Sequence, residues 1–300
     1  MGDIEREEFA TSKGDVRLAI WRKRVRAAAE TDAPVLLLVH GSSLSALPCY
    51  DLDVPGKPGY SMMEWFAQRG FDVWACDHEG YGGSTVTQGN SDVACGVEDL
   101  KAVTAFIAGL TGQRRIGIYG MSSGALRAGG FAAACPDRVS RLILDAFVWT
   151  GEGSPTLIER RKGAEGFRTQ SRRPISREFV HSIFKRDKEG TTEPEAMEAC
   201  ATAQLSFGDS VPTGTYLDMT TKLPVVDPLA VQAPTLIIRG EHDGIATMED
   251  ILGFFGKLPS PDKQITVIPG LAHCTSLGIH RERMWQTVHH FLSAERHTAG

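Results

Sequence analysis

The sequence lacks any run of about 20 apolar residues, the length that a helix needs to cross a bilayer. Residues 1–15 are acidic and polar, and they lack the apolar centre of a secretory signal peptide. These absences argue against a membrane-spanning or secreted protein. They predict a cytoplasmic protein that has no membrane as a partner.

The sequence also lacks a long block of charge of one sign. Its 32 basic and 37 acidic side chains give a net charge of −5. Binding to nucleic-acid phosphates needs a basic face, so this balance argues against DNA or RNA as the main partner. We expect a small-molecule partner, bound by a monomer or a homodimer.

No C-x-x-C pair occurs among the six cysteines. Scattered cysteines in a non-secreted chain of this size are typically reduced and structural. Cys274 stands beside His273, but it has no neighbours at the spacing of metal ligands. We therefore expect no metal site.

Several apolar runs recur along the 300 residues, of which 42% are hydrophobic. Two N-terminal strands, 4–10 and 16–25, flank a turn at 12–15. The continuous apolar run at 34–40 is typical of a strand buried on both faces of a parallel sheet. Similar runs follow at 71–77, 115–120, 139–145, 234–240 and 264–269.

Helical patterns separate these runs, at 61–70, 92–110 and 123–135. The first begins with the capping residue Ser61, has Glu64 three residues later and ends at Gly70. Strands that alternate with helices indicate an α/β fold, with a mostly parallel sheet and helices on both faces.

The alternation is interrupted once, between Thr150 and Leu223, where we see no strand pattern. This segment reads as polar and helical, and at about 70 residues it is far longer than an ordinary connection. We predict a core domain of residues 1–150 and 224–300, with an inserted helical cap at 151–223.

Gly120-Met121-Ser122-Ser123-Gly124 is a G-x-S-x-G pattern between a predicted strand and a helix of small residues. This context is required of a nucleophile elbow, in which a sharp turn exposes the serine. Ser122 is therefore the candidate nucleophile. A serine hydroxyl needs a base to take its proton, and histidine oriented by a carboxylate is the usual base.

Two further candidates follow the last two predicted strands, at the carboxyl edge where sites form in open parallel sheets. They are Asp243, in Gly240-Glu241-His242-Asp243-Gly244, and His273, in Pro269-Gly270-Leu271-Ala272-His273. The sequence leaves competitors open. For the acid these are Glu241 and Asp145, with His242 also adjacent to Asp243, and for the base they are His280, His289 and His290.

An acyl intermediate also needs donors for its oxyanion. The backbone N–H of Ser123 is one candidate. The loop after the first core strand, His40-Gly41-Ser42-Ser43, supplies the other. We assign Ser42 to this role, and Ser43 is the alternative.

Taken together, these motifs resemble those of the α/β-hydrolase superfamily over nearly the whole chain. The motifs are His40-Gly41, the D-x-x-G-x-G-x-S-like stretch 77–84, Gly120 to Gly124, Gly240 to Asp243 and Ala272-His273. The resemblance implies an eight-stranded, mostly parallel sheet, a helical cap, no cofactor and ester-type hydrolysis. Haloalkane dehalogenases and epoxide hydrolases of this fold resemble one another in using an aspartate as the nucleophile. This chain has Ser122 at that position, which disfavours both reactions for it.

Clues to the substrate lie in the predicted cap, where basic residues crowd one stretch (Arg160, Arg161, Lys162, Arg168, Arg172, Arg173 and Arg177). They form a solvated helix face, or one or two of them bind a substrate carboxylate. We select as substrate-binding candidates Ser43, Arg160, Arg161, Arg172 and Phe184. The sequence also has a faint similarity to bacterial hydrolases of phthalate monoesters, whose substrates carry a free carboxylate.

The sequence thus predicts a serine hydrolase that cleaves a carboxylic ester through Ser122, His273 and Asp243. A monoester with a free carboxylate, such as a monoalkyl phthalate, is the suggested substrate. The alternatives are a carbon–carbon bond hydrolase of diketones, an acyltransferase, and a non-enzymatic binding protein on the same scaffold.

Overall fold

The computed structural model describes residues 2–26 and 33–294. Its strands are β1 (Ile4–Lys13), β2 (Val16–Val25), β3 (Val35–Val39), β4 (Asp72–Cys76), β5 (Ile116–Met121), β6 (Val139–Asp145), β7 (Arg172–Pro174), β8 (Ser210–Pro212), β9 (Thr235–Gly240) and β10 (Lys263–Ile268). Eight of them form one sheet in the order β1-β2-β4-β3-β5-β6-β9-β10.

From β4 to β10 every neighbouring pair in this sheet is parallel, while β1–β2 and β2–β4 are antiparallel. The predicted α/β-hydrolase fold with an eight-stranded, mostly parallel sheet is confirmed. At the first hairpin the strands run further than expected. Lys13 pairs with Val16, which leaves only Gly14 and Asp15 in the turn, and Gly14 has a φ of 58°.

The helices are α1 (Ala46–Tyr50), α2 (Met62–Ala67), α3 (Val93–Thr111), α4 (Ser123–Ala134), α5 (Pro155–Arg161), α6 (Ala164–Thr169), α7 (Arg177–Lys185), α8 (Pro194–Leu205), α9 (Gly214–Thr221), α10 (Met248–Lys257) and α11 (Arg281–Ser293). In the described part of the chain, none of them is both long and apolar enough to cross a membrane.

Strand β3 shows how the sheet builds two cores. Its side chains alternate between the faces, so Leu36 and Leu38 pack into one hydrophobic cluster while Val35, Leu37 and Val39 pack into the other. Residues of α2 and α11 complete the first cluster, and residues of α3, α4 and α10 complete the second. A continuous apolar run is therefore required of a strand that is covered on both faces.

Residues 151–223 contain α5 to α9 and, against expectation, the strands β7 and β8, which pair antiparallel in a small separate sheet. The prediction of no strand in this segment was wrong. Each strand has only three residues, too few to show the alternation by which strands are recognised in a sequence. The division into a core and a cap stays a prediction.

Candidate active site

The turn after β5 holds Ser122 in a conformation that non-glycine residues rarely adopt, with φ 58° and ψ −125°. The flanking positions 120 and 124 must be glycine because neither has room for a Cβ atom. A Cβ on Gly120 would lie 2.4 Å from the carbonyl oxygen of Gly124, and one on Gly124 would lie 2.2 Å from that of Val39. The spacing of the G-x-S-x-G pattern thus reflects the close approach of three backbone segments.

A chain of two hydrogen bonds joins the three residues chosen from the sequence. His273 Nε2 lies 3.0 Å from Ser122 Oγ, and His273 Nδ1 lies 2.9 Å from Asp243 Oδ1. Asp243 can only accept when ionised, so Nδ1 carries the hydrogen and Nε2 is free to accept from the serine. All three residues are buried.

Asp243 is anchored by its own loop as well as by His273. Its Oδ1 also accepts the backbone N–H of Ile245, at 3.0 Å. Burial acts to raise the pKa of Asp243, but the charge and hydrogen bond of His273 outweigh it and hold this pKa below its ordinary value. The carboxylate is therefore ionised at neutral pH.

The competing residues have other partners. Glu241 accepts the backbone N–H of Gly270 at 2.8 Å, and His242 lies beside Glu241 with an Nε2–Oε2 distance of 3.6 Å. His289 packs against aromatic rings around α11, and His290 is exposed. His280 is exposed at the N-cap position of that helix, and its side chain makes no capping hydrogen bond there.

Asp145 ends β6 directly behind the serine. Its carboxyl is hydrogen-bonded to Tyr119 and Thr275, and its backbone oxygen accepts the N–H of Ser122 at 2.8 Å. Burial raises the pKa of Asp145 to about 7 despite these hydrogen bonds. Asp145 thus holds the turn at Ser122 through its backbone oxygen and the loop after His273 through Thr275, and it forms no hydrogen bond with His273.

The loop after β3 is oriented by His40, which is buried beneath it. His40 Nε2 accepts the N–H of His78 at 3.1 Å, so Nδ1 bears the hydrogen and donates to the carbonyl oxygen of Gly41 at 2.7 Å. Burial, with His78 and Arg127 nearby, lowers the pKa of His40 and keeps it neutral. The C=O and N–H of a trans peptide point in opposite directions, so the N–H of Ser42 faces away from His40.

The stretch 77–84 supports the same loop from the side. Asp77 accepts the N–H groups of Ala46 and Gly83, both at 2.8 Å. A Cβ on Gly82, whose φ is 50°, would lie 1.8 Å from the Asp77 carboxylate. Tyr81 donates to the carbonyl oxygen of Ser42 at 3.1 Å. This motif therefore positions the residues that face Ser122.

The pocket at Ser122 has a volume of about 40 Å³. Residues of the core and of segment 151–223 line it: Gly41, Ser42, Ser43, Leu44, Cys49, Met121, Ser122, Arg160, Ile183, Arg186, Tyr216, His273 and Cys274. Two predicted substrate-binding residues, Ser43 and Arg160, are among them. Burial raises the pKa of Cys274 to about 12, which suits a packing role.

The three other predicted substrate-binding residues do not line this pocket. Arg161 is exposed at the end of α5. Arg172 donates to Ser210 and to the carbonyl oxygen of Gly80. Phe184 is buried in a hydrophobic cluster. Neighbouring helical residues point about 100° apart, which separates Arg161 from Arg160.

Sequence reasoning missed Arg186 and Tyr216 and did not select Arg173. The charges of Arg160 and Arg173 outweigh the effect of burial and lower the pKa of Tyr216 to about 7. Alternation along β7 puts Arg172 and Arg173 on opposite faces, a signal that recognition of this strand would have supplied. An isolated tyrosine such as Tyr216 carries no such signal.

The family model described as "Serine aminopeptidase, S33" (Hydrolase_4) matches residues 60–278. The chain belongs to this α/β-hydrolase family. Membership of this family makes it a hydrolase. No curated protein matches the sequence significantly.

Three solved structures illustrate the fold. The chain is similar to an esterase from Thermogutta terrifontis with malate bound (24% identity, TM-score 0.69, covering 96% of this chain and 98% of that chain). It is also similar to E-2-(acetamidomethylene)succinate hydrolase (18%, 0.70, 97% and 100%). The third is 2-hydroxy-6-oxo-6-phenylhexa-2,4-dienoate hydrolase from Rhodococcus sp. strain RHA1 (18%, 0.68, 97% and 100%). At these identities the likeness shows the fold alone.

Proposed function

We propose that this chain is a serine hydrolase that cleaves a carboxylic ester of a small to medium organic substrate through an acyl-enzyme. The observation that carries the proposal is the hydrogen-bonded chain Ser122–His273–Asp243, with distances of 3.0 and 2.9 Å. The strained turn that presents Ser122 at the pocket supports it.

In this mechanism Ser122 Oγ attacks the ester carbonyl while His273 Nε2 takes its proton. Asp243 holds the imidazole in its tautomer and stabilises the imidazolium that forms. His273 then protonates the alcohol as it leaves, and the ester's C–O bond breaks. A water molecule, deprotonated by His273, attacks the acyl-enzyme and releases the acid and Ser122.

The N–H groups of Ser42 and Ser123 would hold the oxyanion of each tetrahedral intermediate. Ser123 is the first residue of α4, so its N–H has no partner within the helix and lies at the positive end of the helix dipole. The N–H of Ser42 is turned away from His40 by the hydrogen bond at Gly41. Both donors are supplied by backbone that other contacts fix in place.

We propose that segment 151–223 acts as a cap that must move to admit the substrate. Arg160, Ile183, Arg186 and Tyr216 of this segment line the pocket, and its volume of about 40 Å³ is far below the roughly 300–1,000 Å³ of typical small-molecule sites. The charge of Arg160, which forms no ion pair among the described residues, would repel the protonated amino group of an aminopeptidase substrate. The pocket therefore favours an ester with no positive charge, and a monoester such as a monoalkyl phthalate stays within the proposal.

A fluorophosphonate probe tests the nucleophile. It should label wild-type protein at Ser122 and fail to label Ser122→Ala. The exposed residue Ser206 provides the control, because Ser206→Ala should be labelled normally. Hydrolysis of a 4-nitrophenyl ester should fall by at least about 10⁴-fold in Ser122→Ala and His273→Ala. His290→Ala should stay at the wild-type rate. Labelling at another residue, or full activity of His273→Ala, would contradict the proposal.

Carbon–carbon bond hydrolysis is the second candidate, because the fold is shared with the dienoate hydrolase. Rates on a vinylogous diketone and on an ester of similar size separate the two activities. Faster turnover of the diketone would favour this alternative. A rate of acyl transfer to an added alcohol above the rate of hydrolysis would instead identify an acyltransferase.

A further inference from the structure

Segment 151–223 contributes a positively charged side chain, Arg160, to the lining of the Ser122 pocket, and no carboxylate in the described part of the protein neutralises it. Arg160 lines the pocket and forms no ion pair with a carboxylate of residues 2–26 or 33–294. Its contacts are Met219 Sδ, 3.6 Å from Nη1, and the ring of Tyr216, whose centroid lies 3.8 Å from the guanidinium carbon. A thioether is a weak acceptor, so this guanidinium group has N–H donors to spare.

A second guanidinium group, that of Arg173, contacts three of the pocket-lining residues, Ser42, Ser43 and Tyr216. Arg173 is only 8% exposed, and its Nη2 donates to the carbonyl oxygen of Ser42 and to Ser43 Oγ, at 3.2 and 2.8 Å. Its Nε and Nη1 are buried without a hydrogen-bond partner among the described residues, and no described carboxylate pairs with it. Buried charges in proteins are normally paired, so a missing partner calls for an anion.

Tyr216 connects the two arginines. Its ring centroid lies 3.8 Å from the guanidinium carbon of Arg160 and 4.1 Å from that of Arg173, and its hydroxyl lies 3.2 Å from Ser43 Oγ. The lowered pKa of this phenol reflects a field that stabilises negative charge at this point of the pocket. Arg186 differs, because two hydrogen bonds of 2.9 and 2.7 Å pair it with Asp187.

We propose that Arg160, Arg173 and Tyr216 form an anion subsite that binds a free carboxylate of the substrate. The subsite rests on the proposed function, since the bound ester would be the one that Ser122 attacks. The guanidinium of Arg160 and the hydroxyl of Tyr216 donate to the carboxylate, and Arg173 adds positive charge from behind. The substrate class is an ester with a second, ionised carboxyl group, as in a monoester of a dicarboxylic acid.

Monomethyl adipate and methyl hexanoate test this subsite, because they share chain length and leaving group and differ in one terminal carboxylate. Wild-type protein should have the higher kcat/KM for monomethyl adipate. Arg160→Gln should lower that value by about 10- to 100-fold, the worth of a charge-assisted hydrogen bond, and change the value for methyl hexanoate by less than about threefold. Arg161→Gln, which removes the exposed neighbouring arginine, should leave both values unchanged.

Equal losses on both esters in Arg160→Gln, or a wild-type preference for methyl hexanoate, would overturn the anion subsite while leaving ester hydrolysis intact. If neither ester is hydrolysed and the fluorophosphonate does not label Ser122, the proposed function itself fails. If Arg160→Gln does not fold, the preference of wild-type protein between the two esters decides the question.

Discussion

Replacement of Asp243 by asparagine tests how this site holds the tautomer of His273. Asp243 Oδ1 accepts two N–H groups, from His273 Nδ1 at 2.9 Å and from the backbone of Ile245 at 3.0 Å. In Asp243→Asn, an amide nitrogen at this position would face both donors. Each clash leaves a buried donor unsatisfied, at a cost of about 1–3 kcal/mol. We therefore expect the amide oxygen to occupy the Oδ1 position.

With the oxygen there, His273 keeps its hydrogen on Nδ1 and loses only the negative charge of its partner. A hydrogen bond to a charged group contributes about 1.5–3 kcal/mol, and a neutral one about 0.5–1.5 kcal/mol. The difference of about 1–2 kcal/mol corresponds to a fall in kcat of about 5- to 30-fold. An asparagine that forces the wrong tautomer costs about 10⁴-fold in a serine protease.

The assay is kcat for a 4-nitrophenyl ester at saturating substrate, with thermal unfolding as the check that the variants fold. Asp243→Ala is the comparison, because it removes both the charge and the oxygen, and we expect it to lose at least about 10³-fold. A loss of 10³-fold or more in Asp243→Asn, or equal losses in the two variants, would refute the role given to Ile245.

Three further predictions concern stability, measured by urea unfolding. Gly124→Ala should lower the free energy of unfolding by more than about 2 kcal/mol, because its Cβ would lie 2.2 Å from a backbone oxygen, whereas Gly109→Ala, in open space within α3, should raise it by about 0.5–1 kcal/mol. A Gly124→Ala protein as stable as wild type would contradict the close approach. Arg22→Ala should cost about 3–5 kcal/mol, since it leaves Asp72 buried without its two hydrogen bonds of 2.7 Å, while Arg6→Ala, from an exposed pair, should change stability by less than about 0.5 kcal/mol. Asp145→Asn should gain stability relative to wild type as the pH rises from about 4 to about 7. The pKa of Asp145 is about 7 in the folded state and near 4 in the unfolded state. In this pH range the carboxyl of wild type therefore ionises in the unfolded state first, which lowers the free energy of unfolding of wild type only. Parallel pH profiles of the two proteins would exclude this ionisation.

The strands and the residues that follow them could be read from the sequence because both signals are local. A run such as Val35–Val39 is apolar throughout because each of its faces is covered, and this marks it as a central strand. Ser122 and Asp243 follow two such strands, β5 and β9, at their carboxyl ends, and His273 follows the edge strand β10 at the same end. In a parallel sheet these ends share one edge, so strand recognition alone predicts that the three residues meet.

The choice between neighbouring charged residues could not be made in this way. Glu241 and Asp243 are both close to the end of β9, and only the loop conformation, with Ile245 donating to Asp243, directs the second of them to His273. Burial of Asp145 likewise depends on Tyr119 and Thr275, which are distant from it in the sequence.

The composition and order of apolar runs in this sequence therefore determined the sheet, the elbow and the set of residues at its edge, because these depend on the pattern within each strand and on chain order. Tertiary structure decided which arginines reach the pocket. Arg160 lines it and Arg161 faces solvent, although they are adjacent on α5. The physical reason is that Arg160 stacks on Tyr216 of α9, and a contact between residues so far apart in the chain exists only once both helices have packed over the sheet.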